Sequence, residues 1–260
     1  MKSSDLFIKC LENEGIEYIF GVPGEENADF LISLKKSKKI KFILTRHEQS
    51  AAFMAESYGK LTGKLTCCLS TLGPGATNLL TGVADANMDH SPVLVITGQG
   101  SSDRLHKESH QIMDVCDMFQ PVTKWSTSVR SPNTIPEIIR KAVRLATLEK
   151  PGAVHIELPE DIAKLNVEAN PLDSFPFRRS IAEESIVNKA YKLMLKAKSP
   201  ILIAGNGAIR KRSSKELREF CLVSKVWVHQ YDKKYLGAFA DSGFTSSLHL
   251  KIRKELKNKM

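Results

Sequence analysis

The chain has 260 residues, 42% of them hydrophobic, enough for one sizeable domain and part of another. No apolar run reaches the ~18 residues that cross a bilayer, and the start MKSSDLFIKCLENEG has helical charge spacing without a cleavage pattern, so neither membrane nor export is expected. The net charge of +9 raises nucleic-acid binding, but much of the lysine excess lies in KKSKKIK (35–41) and KIRKELKNK (251–259), neither interleaved with aromatics, and that function is set aside.

Ser3 or Ser4 can cap a first helix carrying Leu6, Ile8 and Leu11, with Gly15 as its stop. Tyr18–Phe20 reads as a short buried strand and Gly21-Val22-Pro23-Gly24 as a tight loop. A helix with Phe30, Leu31 and Leu34 on its apolar side follows, then the strand Phe42–Leu44. Gln49–Leu61 is a helix closed by Gly63, and Leu65–Leu69 a strand holding two cysteines. Gly73-Pro74-Gly75 reads as a second tight loop before a helix from about Ala76 to Asn87. Val93–Ile96 has the continuous apolarity of a strand covered on both faces. Pro136–Leu148 is a late helix and Val154–Leu158 a last strand. This alternation predicts an α/β domain with a largely parallel sheet over residues 1–165.

NVEANPLDSFPFRRS, within 166–184, lacks periodicity and holds two prolines, so it reads as a linker. A second α/β start occupies 185–260: a helix around Ala182–Ala197, the strand Ile201–Ala204, the turn Gly205-Asn206-Gly207 and a helix near Ser214–Leu222. After Val228 the pattern decays into an irregular basic tail. Five cysteines (Cys10, Cys67, Cys68, Cys116, Cys221) form no C-x-x-C pair and read as reduced thiols of a cytoplasmic protein.

Three loops, Gly21–Gly24, Arg46–Glu48 and Thr71–Asn78, follow predicted parallel strands, at the sheet edge where ligands sit in open α/β folds. Two are rich in glycine and proline and can approach a flat ligand closely. The third places Glu48 where a helix begins. On the residues alone this is a small-molecule site with one carboxylate, or a set of ordinary helix-entry turns with a capping Glu. A nucleotide-binding dehydrogenase domain is disfavoured, because neither G-x-G-x-x-G nor G-x-x-x-x-G-K-[ST] occurs.

FGVPGEEN (20–27), TRHEQSAAFMAESYGKLTGK (45–64), STLGPGATNLLTGVADANMDHSPVLVITGQ (70–99) and KPGAVHIELPEDI (150–162), in this order and spacing, resemble the pyrimidine-binding domain of thiamine-diphosphate enzymes of the acetolactate synthase type. The resemblance covers residues 1 to about 165 and, more weakly, 185–235. It implies a three-layer parallel-sheet domain followed by an incomplete second α/β domain. It also implies that Glu48 hydrogen-bonds the ring nitrogen N1′ of the aminopyrimidine, so that the cofactor's own 4′-nitrogen can deprotonate the thiazolium carbon that attacks pyruvate. An apolar pocket would raise the Glu48 pKa. Val22, Pro23, Gly24, Pro74 and Asn78 fall at positions that line the aminopyrimidine; their simpler reading is turn formation and capping. Gln111, in HKESHQIMD (106–114), falls where the family projects a Gln toward the reacting end of the cofactor. His110 precedes it where many biosynthetic members have an aromatic residue, and Glu160 stands where some carry a Lys. His47 orients Glu48 or packs, Glu56 is a solvent or packing residue, and the remaining histidines lack metal-ligand spacing.

The family's diphosphate-binding domain carries a GDG…N-type motif for Mg²⁺, and no GDG occurs in these 260 residues. The expectation is a chain that grips only the aminopyrimidine half of thiamine diphosphate, is inactive alone, and belongs to pyruvate-consuming branched-chain amino acid or acetoin chemistry. Mg²⁺ would come only from a missing domain. FAD binding at the Gly205–Gly207 turn is left open, position 210 being Arg. A gene remnant, one half of a split enzyme paired with a diphosphate-binding chain, and a non-catalytic dimerisation module remain as readings, with a homodimer expected because the family's site forms between subunits.

Overall fold

The computed structural model describes residues 1–105, 107–173, 181–198, 201–205, 207–208, 214–224 and 227–230. The basic tail 251–259, the segment 231–240, Asn206 and Arg210 lie outside them. The chain divides into two compact units, Met1–Pro176 and Phe177–Met260.

In the first unit, six strands form one parallel sheet in the order β2-β1-β3-β4-β6-β5: β1 (Tyr18–Gly21), β2 (Lys41–Leu44), β3 (Thr66–Ser70), β4 (Val93–Gln99), β5 (Ser126–Ser128) and β6 (Ala153–Pro159). The period-2 alternation of a strand divides its apolar residues between two faces. Cys67, Leu69, Leu94, Ile96, Val154 and Ile156 meet α1 (Ser3–Asn13), α2 (Ala28–Lys36) and α6 (Ile135–Thr147). Phe20, Cys68, Val93, Val95 and Ala153 meet α3 (Glu48–Thr62), α4 (Gly73–Met88) and α5 (Val115–Phe119). Burial on both faces is why the central strands read as unbroken apolar runs. The three-layer α/β architecture expected from the sequence is the one observed.

Several local assignments differ from the sequence reading. Ser3 and Ser4 do not cap α1; Lys2 is the N-cap and both serines are buried inside the helix. The Ser3 hydroxyl donates to the Leu165 carbonyl at 2.8 Å, and Ser33 donates to Ser4 at 2.9 Å, tying α1 to α2. At the other end Gly15 (φ +82°) closes the helix as expected. Its N–H bonds Glu12 O and that of Ile16 bonds Leu11 O, the two bonds of a Schellman cap. Gly73-Pro74-Gly75 is the first turn of α4 rather than a loop, because Pro74 sits where no N–H partner is needed. The strand β5 and the short helix α7 (Glu160–Lys164) were not foreseen; both are too short to show a period.

Small residues set the α3–α4 spacing. A Cβ on Gly82 would lie 2.6 Å from Ala52 Cβ, so the two helices meet through Ala51, Ala52, Ala55 and Gly82. Phe7 and Phe30 meet edge to face at 5.5 Å between centroids, joining α1 to α2.

The second unit contains α8 (Glu184–Lys196), a parallel pair of strands, β7 (Ile201–Ala204) and β8 (Trp227–Gln230), and α9 (Ser214–Ser224) between them. The helix, strand and second helix expected there are present, and β8, at the point where the sequence pattern fades, was not foreseen. Among the described residues no helix is long and apolar enough to cross a membrane.

Candidate functional site

Strand β1 lies between β2 and β3, so the connection after β1 leads to α2 on one face and that after β2 leads to α3 on the other. Where connections part in this way, a crevice opens beyond the carboxyl ends of the strands. The loops singled out in the sequence border it.

From β1 the chain enters Val22–Asn27. The Val22 N–H donates to Leu69 O of β3 at 3.3 Å. Asn27 is buried, and instead of capping α2 it turns back: its Oδ1 accepts from the Gly24 N–H at 3.0 Å. Thr71 donates to the Glu26 carboxylate, and a Cβ on Gly24 would lie 2.5 Å from Thr71 Cβ. Gly24 is therefore required by close approach. Pro23 is exposed at the loop's tip.

From β2, the Thr45 N–H donates to Gly21 O at 2.9 Å, and His47 then adopts extended backbone (φ −154°). Its Nδ1 accepts from the Gln49 N–H at 3.1 Å, so His47 is the N-cap of α3 and, as an acceptor there, holds its proton on Nε2. This capping leaves Glu48 as the first helical residue, where the helix dipole favours a carboxylate. Glu48 Oε2 accepts from Asn78 Nδ2 at 3.0 Å. A Cβ on Gly75 would lie 2.6 Å from Ser70 Oγ, 2.9 Å from Thr71 Cγ2 and 3.5 Å from Glu48 Oε1. The chain's own residues leave Glu48 partly exposed and Asn78 exposed, so they do not by themselves supply the apolar surround expected about the carboxyl.

Glu48, Gly75 and Asn78 thus meet directly, Gly24 joins them through Thr71, and Val22 is tied to β3 at Leu69 O. Pro74 is exposed in the first turn of α4 beside Gly75. Gln111 reaches the group through its backbone. It has φ +57°, and a Cβ on Gly73 (φ +49°) would lie 2.4 Å from Gln111 O. The Gln111 side chain and His110 are exposed.

Sequence reading missed Asn27, Thr71 and the buried polar residues beneath the site. Asn27 resembles an ordinary helix cap, and Gln99 and Glu157 lie in apolar runs that mark them only as odd. Gln99 Nε2 donates to Glu157 Oε2 at 2.9 Å, and burial raises the Glu157 pKa against hydrogen bonds from Ser128 and Gln99. His155 is wholly buried between Thr97 and Ser126 and stacked on Phe119, and burial lowers its pKa to about 3. Cys10, Cys67, Cys68 and Cys116 are free thiols.

Of the two readings of Glu56, solvent or packing, packing is the one observed. It is 5% exposed, burial raises its pKa, and Lys60 Nζ lies 3.3 Å away. Glu56, Asp85 and Asp89 are, among the described residues, the acids close enough together to hold a cation, but Lys60 also pairs with Asp89 at 2.6 Å and supplies the positive charge. An open depression of about 420 Å³ beside α2 is lined by Pro23, Leu31, Leu34, Lys35, Ile40 and Phe42, with Ser37, and carries no carboxylate.

The donor set at Glu48 fits an aminopyrimidine. A carboxyl oxygen can share a proton with a ring nitrogen, the Asn78 amide fixes the other oxygen, and Gly75 stands where a side chain would come within 3.5 Å of the carboxylate. The same residues do not fit a magnesium diphosphate, which needs several oxygen ligands on one ion.

Residues 1–118 match the family model described as thiamine pyrophosphate enzyme, N-terminal TPP binding domain. The chain is 38% identical over 233 residues to a probable acetolactate synthase large subunit of Methanocaldococcus jannaschii, covering 87% of this chain and 39% of that protein. It is 39% identical over 230 residues to the acetolactate synthase large subunit of Buchnera aphidicola, covering 85% and 40%. A glyoxylate carboligase of Escherichia coli O157:H7 is 34% identical over 229 residues, covering 87% and 39%. The chain therefore spans about two fifths of the length of these curated relatives. Residues 1–118 are thus similar to the N-terminal domain of thiamine pyrophosphate enzymes, and most of the chain is similar to the N-terminal part of acetolactate synthase large subunits.

Proposed function

We propose that residues 1–176 form the aminopyrimidine-binding half of an acetolactate synthase-type site, acting on pyruvate or a related 2-keto acid. The observation that carries this reading is the Glu48–Asn78 bond at 3.0 Å, beside Gly75 and beyond the carboxyl ends of β2 and β3. Thiamine diphosphate, when bound, supplies a nucleophilic carbon for attack on the keto carbonyl and a sink for the electrons left by decarboxylation. Glu48 holds or shares a proton at the aminopyrimidine ring nitrogen, and Asn78 keeps the carboxyl in the plane that reaches it. Val22, Pro23 and Gly24 on one side and Pro74 and Gly75 on the other offer backbone rather than side chains to a flat ring. Gln111 contributes at the reacting end.

Glu48 and its neighbours hold the ring, and no GDG motif for the diphosphate and its Mg²⁺ occurs in the sequence. A second chain or domain would supply that anchor, and a second copy would close the open side of Glu48. The donor acid is assigned only as a 2-keto acid, because one relative's name specifies glyoxylate.

The test is pyruvate and glyoxylate consumption by the purified chain with thiamine diphosphate and Mg²⁺, alone and with an added diphosphate-binding domain of an acetolactate synthase. The reading predicts turnover only with the added domain. Ordinary enzymatic turnover of ~1–10³ s⁻¹ by the chain alone would overturn it. Absence of thiamine binding by calorimetry at millimolar ligand would favour a non-catalytic dimerisation module.

A further inference from the structure

Three consecutive residues, Gln111 to Met113, are each held by a different contact. Gln111 O lies over Gly73, where a Cβ would come within 2.4 Å. Ile112 Cδ1 occupies the space a Cβ on Gly100 would need, also at 2.4 Å. Met113 O accepts from Gln99 Nε2 at 3.0 Å. Two of the three holders, Gln99 and Gly100, end β4 and begin the chain beyond it.

The Gln99 amide is fully committed. Its nitrogen donates to Met113 O and Glu157 Oε2, and its oxygen accepts from the Gly100 N–H at 3.0 Å. Gln99 is 1% exposed and Glu157 5% exposed. The β4–β6 ladder is made by backbone and needs neither side chain. A buried amide–carboxyl pair costs desolvation that apolar residues would avoid. What the pair provides instead is direction: the ionised Glu157 carboxylate can only accept, and it turns the amide nitrogen toward itself and Met113.

We propose that Glu157 and Gln99 are positioning residues: Glu157 orients the Gln99 amide, and Gln99 fixes Met113 and with it the left-handed backbone at Gln111, at the edge of the Glu48 site. The role assigned to Gln111 rests on the functional reading above; the clamp itself does not. An αL backbone at a non-glycine residue persists only where its surroundings hold it.

The clamp is tested in the full chain by amide hydrogen exchange at Ile112 and Val115, whose N–H groups bond Ser109 O and Met113 O. Glu157→Leu and Gln99→Leu should each speed exchange there about tenfold, the worth of one hydrogen bond, while Glu157→Gln, which keeps an acceptor, should restore the wild-type rate within about twofold. Should Glu157→Leu fail to fold, the double variant Gln99→Leu/Glu157→Leu removes the buried carboxyl and amide together, leaving the Gly100 N–H and Met113 O without their Gln99 partner, and should melt closer to wild type than Glu157→Leu yet exchange fast at Ile112 and Val115. Unchanged exchange at these amides in the double variant, or equal acceleration in α1 and α6, would overturn the proposal. Thiamine calorimetry on the same samples separates the two ideas: no binding with intact clamp behaviour removes the functional reading alone.

Discussion

Acidification should destabilise the first unit through a single buried imidazole. Ser126 Oγ donates its one proton to Cys116 O at 2.8 Å, so toward His155 Nδ1, 2.8 Å away, it can only accept. The proton of neutral His155 therefore sits on Nδ1, and Nε2 accepts from Thr97 Oγ1 at 2.9 Å. Adding a second proton would force the Thr97 hydroxyl to reverse and would place a charge where no water reaches. The Phe119 ring, 4.4 Å away, could return ~0.5–2 kcal/mol as a cation–π contact, less than the desolvation it opposes. Burial lowers the folded pKa to about 3, against 6.5 for an ordinary imidazole. The unfolded chain thus binds the proton first, and stability is complete above pH ~6.5 and is lost as pH falls toward ~3. From pH 8 to pH 5 the loss is about 2 kcal/mol, and the limiting value below pH 3 is about 5 kcal/mol. Urea unfolding, followed by Trp125 fluorescence with Trp227 replaced by Phe, measures it. The difference between wild type and His155→Gln isolates the imidazole from carboxylates such as Glu157 and Glu56, whose raised pKa values work in the opposite direction. A difference that stays constant from pH 8 to pH 5 would refute the argument.

Three further predictions follow from the site. Gly75→Ala should cost about 1–3 kcal/mol in thermal unfolding, because its Cβ would press on Ser70 and Thr71, and should weaken thiamine binding by displacing Glu48. Asn27→Ala should cost about 1 kcal/mol and raise amide exchange at Gly24, the N–H it holds. In an assembly completed with a diphosphate-binding domain, Glu48→Gln should lower kcat by about 10²–10⁴ with the keto-acid KM little changed, since it removes a proton-sharing group but keeps the shape.

Much of the fold was legible because burial on both faces writes strands as plain apolar runs, as in Val93–Ile96, and because glycines 15 and 63 stop helices where the backbone turns left-handed. Elements without a period escaped, β5 and α7 among them. At the site, Glu48 and Asn78 could each be singled out by residue type and loop, but their meeting depends on how α3 and α4 cross at Gly82, a property of packing. Asn27 was hidden by its likeness to a helix cap. Gln99 and Glu157 were hidden because a sequence shows a polar residue in a strand but not the partner that makes it affordable. Glu56 was hard to place because its burial depends on how α3 meets α4; its salt partner Lys60, one turn on along α3, also pairs with Asp89 at the end of α4.

The most direct measurement is ligand-observed saturation-transfer NMR of thiamine diphosphate with the purified chain and its Glu48→Ala variant. Stronger saturation of the pyrimidine methyl and ring protons than of the thiazolium protons, abolished in the variant, is the predicted result. Equal saturation of both rings, or a pattern unchanged when Glu48 is removed, would contradict the assignment of this carboxylate to the pyrimidine.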